Sequence, residues 1–343
     1  MPDPSPRRLL KALFVLSLLV AVAVGGWAYV RYHGFADSPI AIVGTERILT
    51  VEPGDGFRDI LGKLRALGVA EGHDLEWQAL AHDMQVVSRL QVGDYAIRHG
   101  ITPRQLLEKL ESGKVIQHRF TIVEGWSLRE LRAALAKDPT LKPTLADTPD
   151  DALMAALGRD DAHPEGRFLP ETYHYTRGMS DRDVLARAAL AMDKALADAW
   201  AMRAPDSPLK SPDELLVLAS IVEKETGKAS ERAEIAGVFT RRLVKGMLLQ
   251  TDPTVIYGMG ERFAGQIRKK DLETDTPYNT YTRGGLPPTP IALPGIQSLN
   301  AALAPEKTPA LYFVSRGDGT SQFSDNLPDH NRAVNQYQRK ITR

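Results

Sequence analysis

The sequence contains no cysteine, which excludes disulfide frameworks and thiolate metal sites. Nor does one sign of charge prevail. The 43 basic residues match 43 acidic ones, without the basic surplus that a nucleic-acid-binding protein usually carries. Histidine is sparse, and its eight residues are scattered, no two at the helical spacing of a zinc pair. No metal or organic cofactor is implied, and no fixed-period repeat or low-complexity tract is present. Long apolar runs are scarce too. One stands at the N-terminus, and the rest of the 343 residues suffice for about two or three soluble domains.

That run follows Arg7, Arg8 and Lys11 and extends uncharged from Ala12 to Val30. Its 19 residues approach the ~20 that cross hydrocarbon as a helix. Trp27, Tyr29 and Tyr32 cluster at the far end, where amphipathic rings suit the interface. With the positive charges before it, a transmembrane helix over 12–30 leaves residues 1–11 as a cytoplasmic tail. A cleaved signal peptide is the alternative, with Ala12 to Val24 as its apolar region and Ala21-Val22-Ala23 as the cleavage site. The uncleaved anchor is favoured because the apolar stretch continues past that site into an aromatic belt. Both readings export everything after residue 35.

Beyond a linker over 31–46, the exported part reads as two α+β pieces. In the first, 47–114, a strand at Ile48 to Val51 precedes a turn signal at Pro53-Gly54-Asp55-Gly56. Phe57, Ile60, Leu61 and Leu64 then recur at helical spacing, with Gly68 suited to the C-terminal cap. A second short helix follows in "LEWQALAHDM", then a strand in "LQVGDYAIRHG" with a turn at Gly93-Asp94. A helix capped by Thr102 and ended by Gly113 closes the piece. The order strand, helix, helix, strand is similar to a LysM module, a binder of N-acetylglucosamine-containing wall glycan. The second piece, 115–343, opens with a strand and a helix capped by Ser127, with Glu130 completing a capping box. A short helix from Asp150 to Leu157, an aromatic-rich "RFLPETYHY" and a long helix over 181–203 follow.

The most telling segment is "SPDELLVLASIVEKETG". Ser211 can cap a helix, Pro212 sits at its first position, Glu214 completes a capping box, and Gly227 is a natural stop. Leu215 through Val222 is apolar almost all round, as in a helix buried inside a domain. At about 3.6 residues per turn, Glu223 and Glu225 point in nearly opposite directions. Glu225 lies on the bulkier stripe of Leu218, Ile221 and Val222; Glu223 lies on the smaller stripe of Leu216, Ala219 and Ser220. A carboxyl among large apolar groups is desolvated, which raises its pKa toward what a general acid near neutral pH requires. The geometry therefore prefers Glu225 as an acid. Against it stands an ordinary last-turn carboxylate that reaches solvent or pairs with Lys228 or Arg232.

A further helix is expected from Ser230 as cap. Next, Gln250, Thr251 and Asp252 stand beside an apolar run, and "TPYNTYTRGGLPPTPIALPG" packs Tyr278, Asn279, Tyr281 and Arg283 between prolines and glycines. Rings and amides on such a loop suit a sugar; a plain connection suits its composition as well. A hairpin, with strands Leu311 to Ser315 and Ser321 to Phe323 around Gly317-Asp318-Gly319, leads into a terminal helix near Asp329.

Together, "ASIVEKETGKASER", "LQTDPTVIYGMGER", "YNTYTRGGLPPTPIALPG" and "LYFVSRGDGTSQFSDNLPDHN" resemble the YceG-like family of endolytic murein transglycosylases, and the likeness covers nearly the whole chain. It implies a single-pass protein of the bacterial inner membrane with a periplasmic catalytic domain. The implied reaction is a lyase one: internal cleavage of nascent peptidoglycan glycan strands, ending in 1,6-anhydro-muramic acid. Elongation would stop there, beside peptidoglycan synthases. The family's catalytic residue is the second glutamate of "EKE", here Glu225. Glu223 would support it, and Gln250, Asp252, Asn279 and Tyr281 fall in blocks thought to line the cleft. One departure is visible: "FLPETY" has Glu171 where Asp is expected in many relatives. A non-catalytic wall-binding scaffold and a hydrolytic muramidase with Asp252 as partner carboxylate are the competing readings.

Overall fold

The computed structural model describes residues 6–159 and 163–339, so the first five residues of the expected cytoplasmic tail lie outside the described part. It is a mixed α+β protein with an N-terminal apolar helix, and it divides into two compact units. The first comprises Met1–His118 with Thr176–Gly178; the second comprises Arg119–Tyr175 and Met179–Arg343.

The first unit begins with helix α1, Pro6–Ala36. Its stretch Leu13–Ala36 is long and apolar enough to cross a membrane, and its large apolar side chains from Leu13 to Val30 are exposed. The helix runs six residues beyond the expected span. Phe35, Ala36, Ile40 and Ile42 are buried, and Phe35 meets Trp77 edge-on at 5.3 Å. The segment read as a linker therefore joins the core, because it is not polar enough to stay in water. Strand β1 (Glu46–Val51), α2 (Phe57–Ala66), α3 (Asp74–Asp83), β2 (Gly93–Arg98) and α4 (Pro103–Ser112) follow. The strands pair antiparallel from Glu46↔Arg98 to Val51↔Gly93. The expected turn at Gly93-Asp94 is instead the start of β2. Asp94 is buried there and accepts hydrogen bonds from Thr50 Oγ1 (2.7 Å) and Arg177 Nε (2.6 Å), partners that adjacent residues could not reveal.

In the second unit, β3 (His118–Thr121, its first residue counted with the first unit) pairs with β4 (Thr172–Tyr175), and α5 (Leu128–Leu135) and α6 (Asp150–Ala156) lie between them in sequence. Then come α7 (Asp181–Ala201), α8 (Pro212–Glu225), α9 (Arg232–Val244), α10 (Asp252–Met259), α11 (Lys269–Glu273) and α12 (Ile296–Leu303). The hairpin β5 (Tyr312–Ser315) and β6 (Ser321–Ser324) precedes α13 (Leu327–Tyr337). Helix α9 starts at Arg232 after a 3₁₀ turn over Ala229–Glu231, and Ser230 does not cap it.

Helix α8 is the axis of this unit. Ser211 Oγ accepts from Glu214 N, Pro212 occupies the first turn, and all residues from Leu215 to Val222 are buried. They pack against α7, α9 and α12. Fully burying one such Leu, Ile or Val contributes about 1.5–3 kcal/mol, so this helix is anchored by packing rather than propensity. It ends two residues before Gly227. Thr226 is already extended, with φ −148° and ψ 133°, so Glu225 is the last helical residue.

Candidate active site

The two glutamates at the end of α8 meet different surroundings. Glu223 belongs to the small face, and that face seats the Pro- and Gly-rich loop. Ser220 Oγ accepts from Ile291 N at 3.0 Å, and Glu223 Oε2 accepts from Gly295 N at 2.9 Å. The approach at Gly295 is close: a Cβ there would lie 1.9 Å from Glu124 Oε1, so a larger residue would require the Glu124 side chain to move. Glu223 Oε1 also faces Arg232 Nη2 at 3.5 Å, and that guanidinium donates to Gln297 Oε1 at 2.6 Å. Glu223 is thus an ion-paired carboxylate that fixes a loop.

Among the described residues, Glu225 has no such cation. Lys228 pairs with Glu231 at 3.3 Å, and Arg232 is committed to Glu223 and, at 3.7 Å, Glu124. The Glu225 carboxyl forms part of a cavity wall, half-buried, and accepts a short hydrogen bond from Thr251 Oγ1. Burial raises its pKa to about 7; the Thr251 bond lowers it in part, and the Asp252 charge pushes it up. Thr251 is itself buried. Its amide donates to Thr280 Oγ1 at 3.1 Å, and Thr254 Oγ1 donates to its carbonyl at 2.8 Å. Two threonines, Thr254 and Thr280, therefore hold the one that holds Glu225.

The preceding residue supplies the turn. Gln250 has φ 51°, a left-handed conformation uncommon for a non-glycine residue, and its amide donates to Thr280 O at 3.1 Å. Such backbone costs of order 1 kcal/mol and persists where the surroundings enforce it. Here it directs Thr251 to Glu225 and starts α10 at Asp252.

The cavity holds about 580 Å³. Glu225, Gln250, Asp252 and Tyr281 line it together. The Tyr281 hydroxyl donates to Asp252 Oδ1 at 2.5 Å, and burial keeps that phenol above its usual pKa. Asn279 stands behind the wall. Its side-chain amide donates to Leu272 O (3.0 Å) and Thr274 O (2.7 Å), and its Oδ1 accepts from Tyr281 N (2.9 Å). It positions Tyr281 and does not line the space.

Several residues of this wall carried no sequence signal. Arg242 is buried, donates to Leu311 O (2.8 Å) and Leu249 O (2.9 Å), and lies over the Tyr312 ring at 5.0 Å. His330 stacks against Tyr312 at 5.1 Å. Both line the cavity, Arg242 from α9 and His330 from α13, and no local pattern can predict that they meet there. Thr251 was visible only as one polar residue among three. Among the described residues, no group of three or more His, Cys, Asp or Glu could hold a metal ion.

Fold and site together define a class: a mixed α+β protein in which the last turn of a buried helix presents a desolvated carboxyl to a cavity of aromatic, amide and hydroxyl groups. Comparison with known proteins makes it specific. The model of the YceG-like family matches residues 49–336, and the chain belongs to that family. It is 33% identical over 267 residues to an endolytic murein transglycosylase of Bacillus subtilis, covering 73% of this chain and 74% of that one. It is 27% identical over 362 residues to an endolytic murein transglycosylase of Streptococcus pneumoniae, covering 94% of this chain but only 64% of that relative. A crystal structure of a yceG-like protein from Listeria monocytogenes is similar with a TM-score of 0.56 and 31% identity, over 84% of this chain and 98% of that one.

Proposed function

We propose that this protein is a membrane-anchored endolytic murein transglycosylase with Glu225 as its single acid and base. The observation that carries the reading is the Glu225 carboxyl: uncompensated by a cation among the described residues, raised to about 7, and facing a cavity wide enough for sugar rings. Near neutral pH such a group is populated in both proton states, as a two-stage proton transfer requires.

The substrate bond is the β-1,4 link between N-acetylmuramic acid and N-acetylglucosamine. Glu225 gives its proton to the bridging oxygen, the C1–O bond breaks, and N-acetylglucosamine leaves as an alcohol. The resulting carboxylate then takes the proton of the muramic C6 hydroxyl, whose oxygen bonds to C1 and closes the 1,6-anhydro ring. No water is consumed and the enzyme regains its proton. Thr251 holds the carboxyl in place, while Gln250, Tyr281 and Asp252 offer polar contacts to sugar hydroxyls; Glu223 and Asn279 keep the surrounding loop in position. A hydrolase of the ordinary kind would need a second carboxyl about 5–9.5 Å from the first. Asp252 borders the same cavity, and this favours hydrolysis as the second reading.

The span Leu13–Ala36 would anchor the chain in the bacterial inner membrane, with the N-terminus inside and the residues beyond the span in the periplasm. The pair β1–β2 with α2 and α3 between supports a LysM-like role for 47–114 in holding wall glycan, with 115–343 as catalytic domain. Cleavage beside a peptidoglycan synthase would end strand elongation. Digestion of purified glycan strands by the full chain tests the assignment. Anhydro-muramic ends are expected; new reducing ends would indicate hydrolysis, and uncut strands would leave only a scaffold.

A further inference from the structure

A second cavity, of about 970 Å³, is larger than the one holding Glu225. The two share a wall. Glu225 and Asp252 line the smaller space, whereas their chain neighbours Lys224 and Pro253 line the larger. Consecutive Cα atoms are about 3.8 Å apart, so the linings of the two spaces adjoin along the chain at both places.

Its lining is more heavily charged than that of the smaller cavity. Leu128, Ile256, Tyr257, Phe263 and Ile291 give an apolar floor. With it stand two cations, Arg129 and Lys224, and three acids, Glu130, Asp150 and Glu261; Lys224 Nζ donates to Gly125 O at 3.1 Å, Asp150 pairs with Arg132 at 2.6 Å, and Glu130 accepts from Ser127. The floor also contains a carboxyl that the proposed reaction does not use. Glu165 is only 2% exposed; both its oxygens accept from Leu128 N at 3.1 Å, and the Tyr257 hydroxyl bonds to it. Burial raises its pKa to about 7, so near neutral pH it is held partly as the acid and can donate as well as accept.

This cavity carries more charged groups than the one beside Glu225, of both signs, together with apolar side chains. A short peptide with free carboxylates and an amine suits it: cations receive the carboxylates, acids receive the amine, and the floor takes the aliphatic parts. The volume is at the upper end of the ~300–1,000 Å³ typical of ligand pockets, enough for a few residues. Peptidoglycan carries such a peptide on the lactyl group of muramic acid, projecting sideways from the strand at the sugar to be cut. We propose that this cavity receives the peptide borne by the muramic acid at the scissile bond, with Arg129 and Lys224 binding its carboxylates. The inference rests on the transglycosylase reading.

The test uses the full chain in detergent and two substrates: peptide-bearing glycan strands, and the same strands stripped of peptide by an amidase. The readout is the ratio of kcat/KM between them, which is insensitive to the fraction of folded enzyme. The wild-type ratio should favour peptide-bearing strands by about tenfold or more, the effect of one hydrogen-bonded charge contact. Arg129→Ala should bring the ratio toward one through KM, and Arg129→Lys should largely keep it. A wild-type ratio near one, with anhydro ends from both substrates, would overturn the peptide site while leaving the transglycosylase intact. A ratio unchanged by Arg129→Ala would overturn it as well. No cleavage of either substrate would refute the transglycosylase reading, and this inference with it.

Discussion

Replacing Glu225 by glutamine should make the protein inactive and, at alkaline pH, more stable. In the folded chain Glu225 titrates at about 7, against an ordinary value of 4.5. The folded state therefore keeps a proton that the unfolded state releases, and stability falls as pH rises from 4.5 through 7. That interval corresponds to a loss of about 3 kcal/mol, complete above the folded value. Glutamine has nothing to titrate and escapes the loss, and its amide oxygen can still accept from Thr251. We expect Glu225→Gln to equal the wild type near pH 4 and to exceed it by up to ~3 kcal/mol near pH 8. Pulse proteolysis in urea, on the full chain in detergent, measures the difference. Other groups that titrate in this range, Glu165 among them, are common to both proteins and cancel. Cleavage should drop by at least about a hundredfold, since a positioned acid–base group contributes that much or more. A stability difference that does not change with pH would refute the desolvated carboxyl, and a variant that cuts normally would move the acid role elsewhere.

Two further substitutions separate the residues around it. Thr251→Val keeps the shape and the backbone bonds but removes a donor to the charged form; the alkaline limb of the cleavage rate should move up by about one pH unit, and an unmoved limb would show that the bond does not act on Glu225. Glu223→Gln leaves the Arg232 guanidinium short of a counter-charge, so denaturation should show a loss of about 1–3 kcal/mol with a few-fold slower rate. Its products should still carry anhydro ends and its pH profile should not shift; a shifted profile would place Glu223 in the proton transfer.

The legibility of the fold followed the reach of the interactions. Helices α4, α5 and α8 could be read from their caps and apolar spacing because these are contacts between residues three or four apart: Thr102 with Gln105, Ser127 with Glu130, Ser211 with Glu214. Where a long-range partner competed, local rules gave way. Asp94 looked like a turn residue and is a buried strand residue, held by Thr50 and Arg177. Ser230 looked like a cap, and a 3₁₀ turn took its place.

The candidate site shows the same division. By itself the sequence determined that two glutamates end a buried helix on opposite faces, since helical periodicity admits no other arrangement. It also contained the motif blocks through which the family is recognised. Which glutamate keeps a counter-ion was decided only by the tertiary structure. Arg232, on the next helix, comes within 3.5 Å of Glu223, and Thr251, 26 positions along the chain, donates to Glu225. A carboxylate's pKa depends on the solvent removed and the charges brought near in space, and neither quantity is written in the neighbouring residues.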